Sequence, residues 1–302
     1  MLEFDLIALI QSKVKTDESV KLGIGDDAAV INVSNDSQLV VSTDTLVFGV
    51  HFDESATAFQ IGHKSLAVNL SDLAAMGATP KWVTLNLTLP KIDMQWQQDF
   101  VSGFMALAEK YKVNLIGGDT TSGPLSISAT VFGEVTKNQA LKRSTAKRGD
   151  LIAVTGEIGS AAFALSHKDS ELVNTLHTPE PQLEISQQIK SFVHACVDIS
   201  DGLLADLGHI CQASKLGAKI SLEQIPVNQQ VKNSSPQWSN HVLSGGDDYQ
   251  LCFTFDTKDL AKLPANCTVI GQMGCGEGVK VFSNNQEVKV VNKGFIHFNQ
   301  KD

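Results

Sequence analysis

The stretch AVNLSDLAAMGA, Ala67 to Ala78, follows Leu66 with Leu70 and Leu73 at intervals of four and three. That spacing draws one apolar stripe along a helix spanning about Ala58–Met76. Asn69 and Asp72 fall one turn apart on a neighbouring face. A carboxylate set among leucine, alanine and methionine is normally excluded from such a helix unless a partner offsets its burial. Asp72 therefore reads as functional rather than incidental.

Strands and helices alternate outward from this helix. Before it, Ala28–Val33 and Gln38–Ser42 read as strands; after it come a strand at Trp82–Leu89, a helix at Gln95–Tyr111 and a strand at Pro124–Val135. The turn-rich basic stretch KNQALKRSTAKRGD, Lys137–Asp150, then interrupts the pattern and marks a boundary between two domains, 1–137 and 138–302. Beyond it a strand at Leu151–Thr155 leads to helices near Ser160–Ser166 and Gln182–Phe192 and a strand at Ala195–Asp198. A helix at Asp201–Ser214 and strands at Ala218–Leu222, Tyr249–Phe255 and Cys267–Gly271 complete the pattern. LIGGDTTSG and LSGGDDYQL each set Gly-Gly-Asp beside a strand-like segment, a faint echo between the halves.

With 302 residues, 42% hydrophobic and 19% charged, the chain has the composition of an ordinary soluble globular protein. A net charge of −9 argues against a nucleic-acid surface. The N-terminal MLEFDLIALIQSKV reads as an amphipathic helix carrying Leu2, Leu6, Leu9 and Ile10, not a secretory signal, and no segment has the length of apolar residues a membrane span requires. Cys196, Cys211, Cys252, Cys267 and Cys275 form no Cys-x-x-Cys pair. They read as buried thiols in a reducing compartment, which places the protein in the cytoplasm.

The chemistry lies in repeated acidic motifs: Gly25-Asp26-Asp27, Ser42-Thr43-Asp44, Asn69-Leu70-Ser71-Asp72, Gly117-Gly118-Asp119, Asp198-Ile199-Ser200-Asp201 and Gly245-Gly246-Asp247-Asp248. Local readings compete with function at several of them. Asp26 and Asp27 suit a turn, Asp44 a strand terminus, Asp119 a turn and Asp201 a helix N-cap. Taken together, converging carboxylates repel: each pair at about 4 Å costs about 4 kcal/mol at an effective dielectric near 20. Arg143 and Arg148 are the only arginines, so divalent cations are the natural compensation. All-oxygen ligands from short aspartate side chains describe Mg²⁺ better than zinc. His51 stands apart from these motifs and reads as structural or as a contact to an anionic substrate; His63, His209 and Tyr249 read as structural. Neither a Walker loop nor a protein-kinase motif set occurs.

GIGDDAAV, STDTLV, KSLAVNLSDLAAMGATP, LIGGDTT, ISDGL and SGGDDYQLCF, in this order, resemble the thiamine-monophosphate kinase family, within the aminoimidazole ribonucleotide synthetase-like enzymes. The similarity runs from about Leu22 to Phe255, with a weaker echo at Lys293-Gly294-Phe295. The resemblance implies an α+β, two-domain fold. Its N-terminal domain, a mixed sheet with helices, binds ATP and Mg²⁺ and forms a homodimer; an α/β sandwich-like C-terminal domain completes the active site. It implies transfer of the γ-phosphoryl of ATP to thiamine monophosphate, with several Mg²⁺ ions held by Asp27, Ser42, Thr43, Asp44, Asp72, Asp119, Asp198 and Asp201. Gly118, Asp119 and Ser200 then contact nucleotide and Arg143 contacts phosphate. Arg143, Asp119 and Asp201 are the catalytic set, while His51, Asp247 and Phe295 match the thiamine-phosphate side. Two positions depart from the family: Asp247 stands where Glu is common, one methylene shorter, and Phe295 stands where Tyr or Trp is usual. The rivals are a ribonucleotide synthetase, whose Ser-Thr-Asp-Gly continuation is missing after Asp44, and a selenide dikinase, which needs a reactive N-terminal cysteine. A catalytically silent metal- or nucleotide-binding regulator is the rival of a different class.

Overall fold

The computed structural model describes residues 3–25, 28–234, 236–290 and 294. They divide into two compact units, Met1–Leu73 with Ala78–Ala140, and Ala74–Gly77 with Leu141–Asp302.

The first unit runs α1 (Glu3–Lys13), β1 (Val20–Leu22), β2 (Val30–Ile31), β3 (Ser37–Val47), α2 (Ala58–Ala75), β4 (Thr79–Leu89), α3 (Met94–Tyr111), β5 (Asn114–Ser122) and β6 (Ser126–Thr136). Four strands form one sheet in the order β3-β6-β4-β5, with β4 and β5 parallel and the other pairs antiparallel. The leucine stripe of α2 is fully buried at Leu66, Leu70 and Leu73. On β4, Leu85, Leu87 and Leu89 are buried while Asn86 is exposed, the alternation of a strand with one face in a core.

Two glycines let α2 and α3 approach closely. A Cβ on Gly62 would stand 2.1 Å from the Phe100 carbonyl oxygen, and one on Gly103 1.9 Å from that of Phe59. The strand expected over Ala28–Val33 pairs only at Val30–Ile31, because its partner β1 offers just three residues. β3 is longer than the expected Gln38–Ser42 because it pairs with β6 without a break from Ser37 to Val47. Its Thr43-Asp44-Thr45 stretch, where Thr45 and Ser128 hydroxyls meet at 2.7 Å, interrupts the hydrophobic signal before Leu46 and Val47.

The second unit contains β7 (Leu151–Thr155), α4 (Ser160–Ser166), α5 (Val173–His177), α6 (Leu183–Ile189), β8 (Val193–Ile199), α7 (Leu203–Ser214) and β9 (Gly217–Ser221). It continues with α8 (Gln229–Ser234), α9 (Ser239–Ser244), β10 (Gln250–Phe255), β11 (Cys267–Gly274), β12 (Gly278–Ser283) and β13 (Gln286–Val288). Its seven-stranded sheet is ordered β13-β12-β9-β11-β7-β10-β8. Ile152 and Val154 of β7, Val197 and Ile199 of β8, and Leu203, Leu207 and Ile210 of α7 share its buried core. The α7 helix starts at Leu203 rather than at Asp201, since Gly202 sits at φ 122°, outside helical geometry.

All five cysteines are free, and four are buried. Cys275 departs from the expectation: it is exposed, in the connection between β11 and β12. Among the described residues no helix is long and apolar enough to cross a membrane.

Candidate active site

In the first unit the polar face of α2 meets the edge strand β3. The Ser42 hydroxyl donates to the Asp72 carboxylate. One turn earlier on α2, Asn69 Oδ1 accepts the Asp44 backbone N–H at 3.0 Å, while its Nδ2 donates to the Ser65 carbonyl at 3.0 Å. Asn69 thus braces the strand while Asp72 presents oxygen beside it. Asp44 lies inside β3 and does not terminate it. Thr43 alternates to the opposite face from Ser42 and Asp44. Its hydroxyl donates to the Ala129 carbonyl at 3.0 Å and lies 3.0 Å from the Thr130 hydroxyl. His51 follows β3, and its Nδ1 accepts the Val47 N–H at 3.0 Å, which puts the proton of the neutral ring on Nε2.

The other edge of the same sheet carries the Gly117-Gly118-Asp119 motif, inside β5 rather than in a turn. Gly118 has φ 152°, and a Cβ there would stand 1.8 Å from the Leu85 carbonyl oxygen, so only glycine fits. Gly118 and Asp119 line a cavity of about 630 Å³ whose other walls include Ile7, Ile10, Ile24 and Ala28. Strand register aligns Asp44 with Ala129, Ala129 with Leu85 and Leu85 with Gly118. Three strand spacings therefore separate the Asp44 and Asp119 motifs, about 14 Å at about 4.8 Å each. Within one chain the two motifs stand too far apart to hold the same ion.

In the second unit two loops interlock. Asp198, 3% exposed, lies near the end of β8, and the chain continues through Ser200, Asp201 and Gly202 into α7. The Ser200 carbonyl accepts the Asp247 N–H at 2.9 Å, and the Ile199 carbonyl accepts that of Tyr249 at 2.8 Å. A Cβ on Gly246 would stand 2.2 Å from the Ser200 carbonyl oxygen. Asp247 adopts φ 67°, and its Oδ1 accepts the Tyr249 hydroxyl at 2.9 Å. Asp248 turns inward, accepting Gly159 N–H at 2.7 Å and Ala161 N–H at 3.3 Å. Burial pushes its carboxyl up to about 7, against the pull of those N–H groups.

Asp206, on the first turns of α7, organises the Asp201 loop. One of its oxygens accepts the backbone N–H groups of Ser200, Asp201 and Gly202 at 3.1, 3.1 and 3.0 Å. Asp201 is therefore held by a cap and does not act as one. Burial first, and the charge of Asp201 second, push the Asp206 carboxyl up to about 7; the loop N–H groups and the Arg143 charge pull the other way. Arg143 begins a short 3₁₀ turn, Arg143–Thr145, tied to α7 by the Ser214 hydroxyl donating to its carbonyl at 2.8 Å. Arg143, Ser200, Asp201 and Asp206 are thus neighbours. The sequence leaves Asp206 unassigned; the signal available for it is Asp206-x-x-His209, two ligand-type residues on one helix face. Asp26, Asp27 and Phe295 lie outside the described residues.

Two family descriptions match this arrangement: AIR synthase related protein, N-terminal domain, over residues 25–135, and AIR synthase related protein, C-terminal domain, over residues 147–283. The fold and its acidic strand edges thus define a two-domain protein of the AIR synthase related class. The chain is 41% identical to thiamine-monophosphate kinase of Buchnera aphidicola subsp. Schizaphis graminum and 40% identical to that of Escherichia coli K12, in each case over 98% of both chains. The crystal structure of thiamine-monophosphate kinase from Stenotrophomonas maltophilia K279a is similar at 42% identity and a TM-score of 0.86, over 93% of this chain and 96% of that one. AaThiL complexed with AMPPCP and TMP is similar at 31% identity and a TM-score of 0.78, over 98% and 97%. The chain belongs to the thiamine-monophosphate kinase family, and it is an enzyme of the kinase class. Escherichia coli HypE, at 19% identity and a TM-score of 0.81, shares the fold alone.

Proposed function

We propose that this chain transfers the γ-phosphoryl group of ATP to thiamine monophosphate, giving thiamine diphosphate and ADP. The observation that carries the reading is similarity over nearly the whole chain to thiamine-monophosphate kinases. The similar AaThiL chain that holds AMPPCP, an ATP analogue, together with TMP supports ATP as the co-substrate.

The donor chemistry fits Mg²⁺. Ser42 and Asp72 present hydrogen-bonded oxygens on one sheet edge, with Asp44 in the same strand, and hard oxygen donors suit a hard cation. In this reading Asp27, Ser42, Thr43, Asp44, Asp72, Asp119, Asp198 and Asp201 hold the ions. Thr43 serves through its backbone, because its hydroxyl is engaged on the other face. Bound Mg²⁺ supplies neutralisation of phosphate charge. Gly118, Asp119 and Ser200 take the nucleotide, the glycine permitting close backbone approach, and Arg143 neutralises phosphate. His51, Asp247 and Phe295 take the thiamine phosphate. The Tyr249 hydroxyl fixes the rotamer of Asp247, whose charge complements the thiazolium. No general base is needed, because the acceptor is a phosphate oxygen already largely deprotonated at neutral pH; positioning and charge neutralisation carry the in-line transfer.

A homodimer through the first domain belongs to this reading. Asp44 and Asp119 stand on opposite edges of one sheet, so an ion shared by both motifs takes one from each copy. Leu39 and Val41 of β3, 42% and 52% exposed, offer apolar surface for that contact. The setting proposed is the cytoplasm, where both substrates and reduced thiols coexist.

The test is ADP release by purified protein with ATP and Mg²⁺. Release that depends on thiamine monophosphate and stops with chelator supports the proposal. Mg²⁺-dependent ATP binding without ADP release would instead fit a silent nucleotide-binding regulator.

A further inference from the structure

A buried carboxylate and a histidine that the phosphoryl transfer does not use stand at the root of the Arg143 turn. Asp150 is 3% exposed and directly precedes β7. Its carboxylate accepts the Lys147 backbone N–H at 2.8 Å, the Thr254 hydroxyl at 3.2 Å and the His194 Nδ1–H at 3.0 Å. The other ring nitrogen, Nε2, lies 3.0 Å from Lys147 Nζ. An ammonium can only donate, so Nε2 accepts and the ring proton stands on Nδ1, directed at Asp150. One histidine on the edge strand β8 thus holds both Lys147 and Asp150.

The start of the same segment is fastened at the same place. The Lys142 carbonyl accepts the Cys196 N–H at 3.3 Å, and the Thr145 hydroxyl donates to the His194 carbonyl at 2.5 Å. Arg143 lies between these ties, and among the described residues its guanidinium makes no hydrogen bond or ion pair. Its direction therefore comes from its backbone. Burial raises the Asp206 carboxyl and the Arg143 charge is among the groups that oppose it, so the guanidinium lies on the side of the Asp201 corner.

We propose that His194 is a positioning residue for Arg143. With Asp150, Lys147 and Thr145 it clamps the segment 142–150 onto β8 and so presents the guanidinium to nucleotide phosphate. The inference rests on the preceding reading only for the role of Arg143. A long, flexible side chain loses rotamer freedom when it engages a ligand, and a rigid backbone beneath it limits what more must be ordered. Charge neutralisation in the transfer also depends on placement, since a shift of about 1 Å in a positioning group is enough to cost rate steeply.

A double-mutant cycle with Arg143 separates positioning from a merely structural role. Full-length variants with native far-UV circular dichroism are compared by initial rates at varied ATP. His194→Ala removes both side-chain contacts, so kcat/KM for ATP should fall about tenfold while KM for thiamine monophosphate holds. His194→Asn keeps a donor near the Nδ1 position and should recover most of that loss. In an Arg143→Ala background, His194→Ala should change kcat/KM for ATP by less than about twofold, because the group it positions is gone. Thr145→Val loosens the same segment without touching the buried carboxylate and should show the same dependence on Arg143, which keeps the test open if His194→Ala does not fold. Equal losses with and without Arg143, or native kcat/KM in both His194→Ala and Thr145→Val, would overturn the proposal. Failure of the kinase reading registers separately, as no thiamine diphosphate from the unaltered protein; the same cycle on Mg²⁺-AMPPCP affinity then tests the clamp.

Discussion

Asp72 illustrates how a single residue carries the argument. Its carboxylate sits on a helix whose other face is fully buried leucine, and the Ser42 hydroxyl on β3 supplies the required partner. The need for a partner is legible in AVNLSDLAAMGA; its identity is not, because Ser42 lies 30 residues away and only the fold joins them. Asp72→Asn keeps the shape but removes the charge, so turnover should fall by about a hundredfold or more, the scale of losing one preorganised electrostatic group. Steady-state rates, with circular dichroism to show an intact fold, check this. Asp248 gives a pH-dependent expectation. Its carboxyl is raised from 3.8 to about 7 in the folded chain, so the folded state binds the proton more tightly. Its contribution to stability is complete below about pH 4 and is lost as pH rises towards 7. Asp248→Asn cannot titrate, so its stability deficit against the native chain should be larger at pH 5 than at pH 8. Urea midpoints at the two values test the sign; a deficit that widens with pH would refute it.

At the scale of elements, glycines determine which pieces touch. Gly62 and Gly103 let α2 and α3 cross with backbone nearly in contact, and a methyl on either would meet a carbonyl oxygen near 2 Å. Gly62→Ala and Gly103→Ala should each cost about 1–3 kcal/mol, the penalty of overpacking a closed contact. Gly208 lies inside α7 with nothing within 4 Å of a Cβ. There Gly208→Ala should stabilise by about 1 kcal/mol through helix propensity alone. Denaturant unfolding of the three variants tests whether the crossing or the glycine itself sets the energy. The long helices α2 and α3 were legible because their apolar period is sustained. β5 was not, since its Gly-Gly-Asp core looks like a turn and is a strand only by pairing with β4. The short α5, α8 and α9 lack the length for a period to show. Asp206 is hard to read for a related reason: the Asp206-x-x-His209 spacing marks a helix face, but the loop that folds back over the helix start onto that carboxylate leaves no pattern in the sequence.

Across the whole molecule, the acidic motifs fall into groups set by strand order. Ser42, Asp44 and Asp72 gather at one edge of the first sheet, Gly118 and Asp119 mark the other, and Asp201, Asp206 and His209 meet in the second unit. Sequence order brought the motifs to notice and pointed to their family, but which of them share a site depends on β6 and β4 lying between β3 and β5. If the two edges serve one ion through a second copy, the protein in solution should have twice the chain mass by light scattering. Replacing Val41 with Lys on the exposed face should shift it towards the monomer and lower activity together. The central claim is transfer of a phosphoryl group from ATP to thiamine monophosphate, and following the γ-phosphorus atom tests it most directly. With γ-labelled ATP, Mg²⁺ and thiamine monophosphate, the account predicts label in the terminal phosphate of thiamine diphosphate, equimolar with ADP. Label released as inorganic phosphate, or retained in ATP, would contradict it.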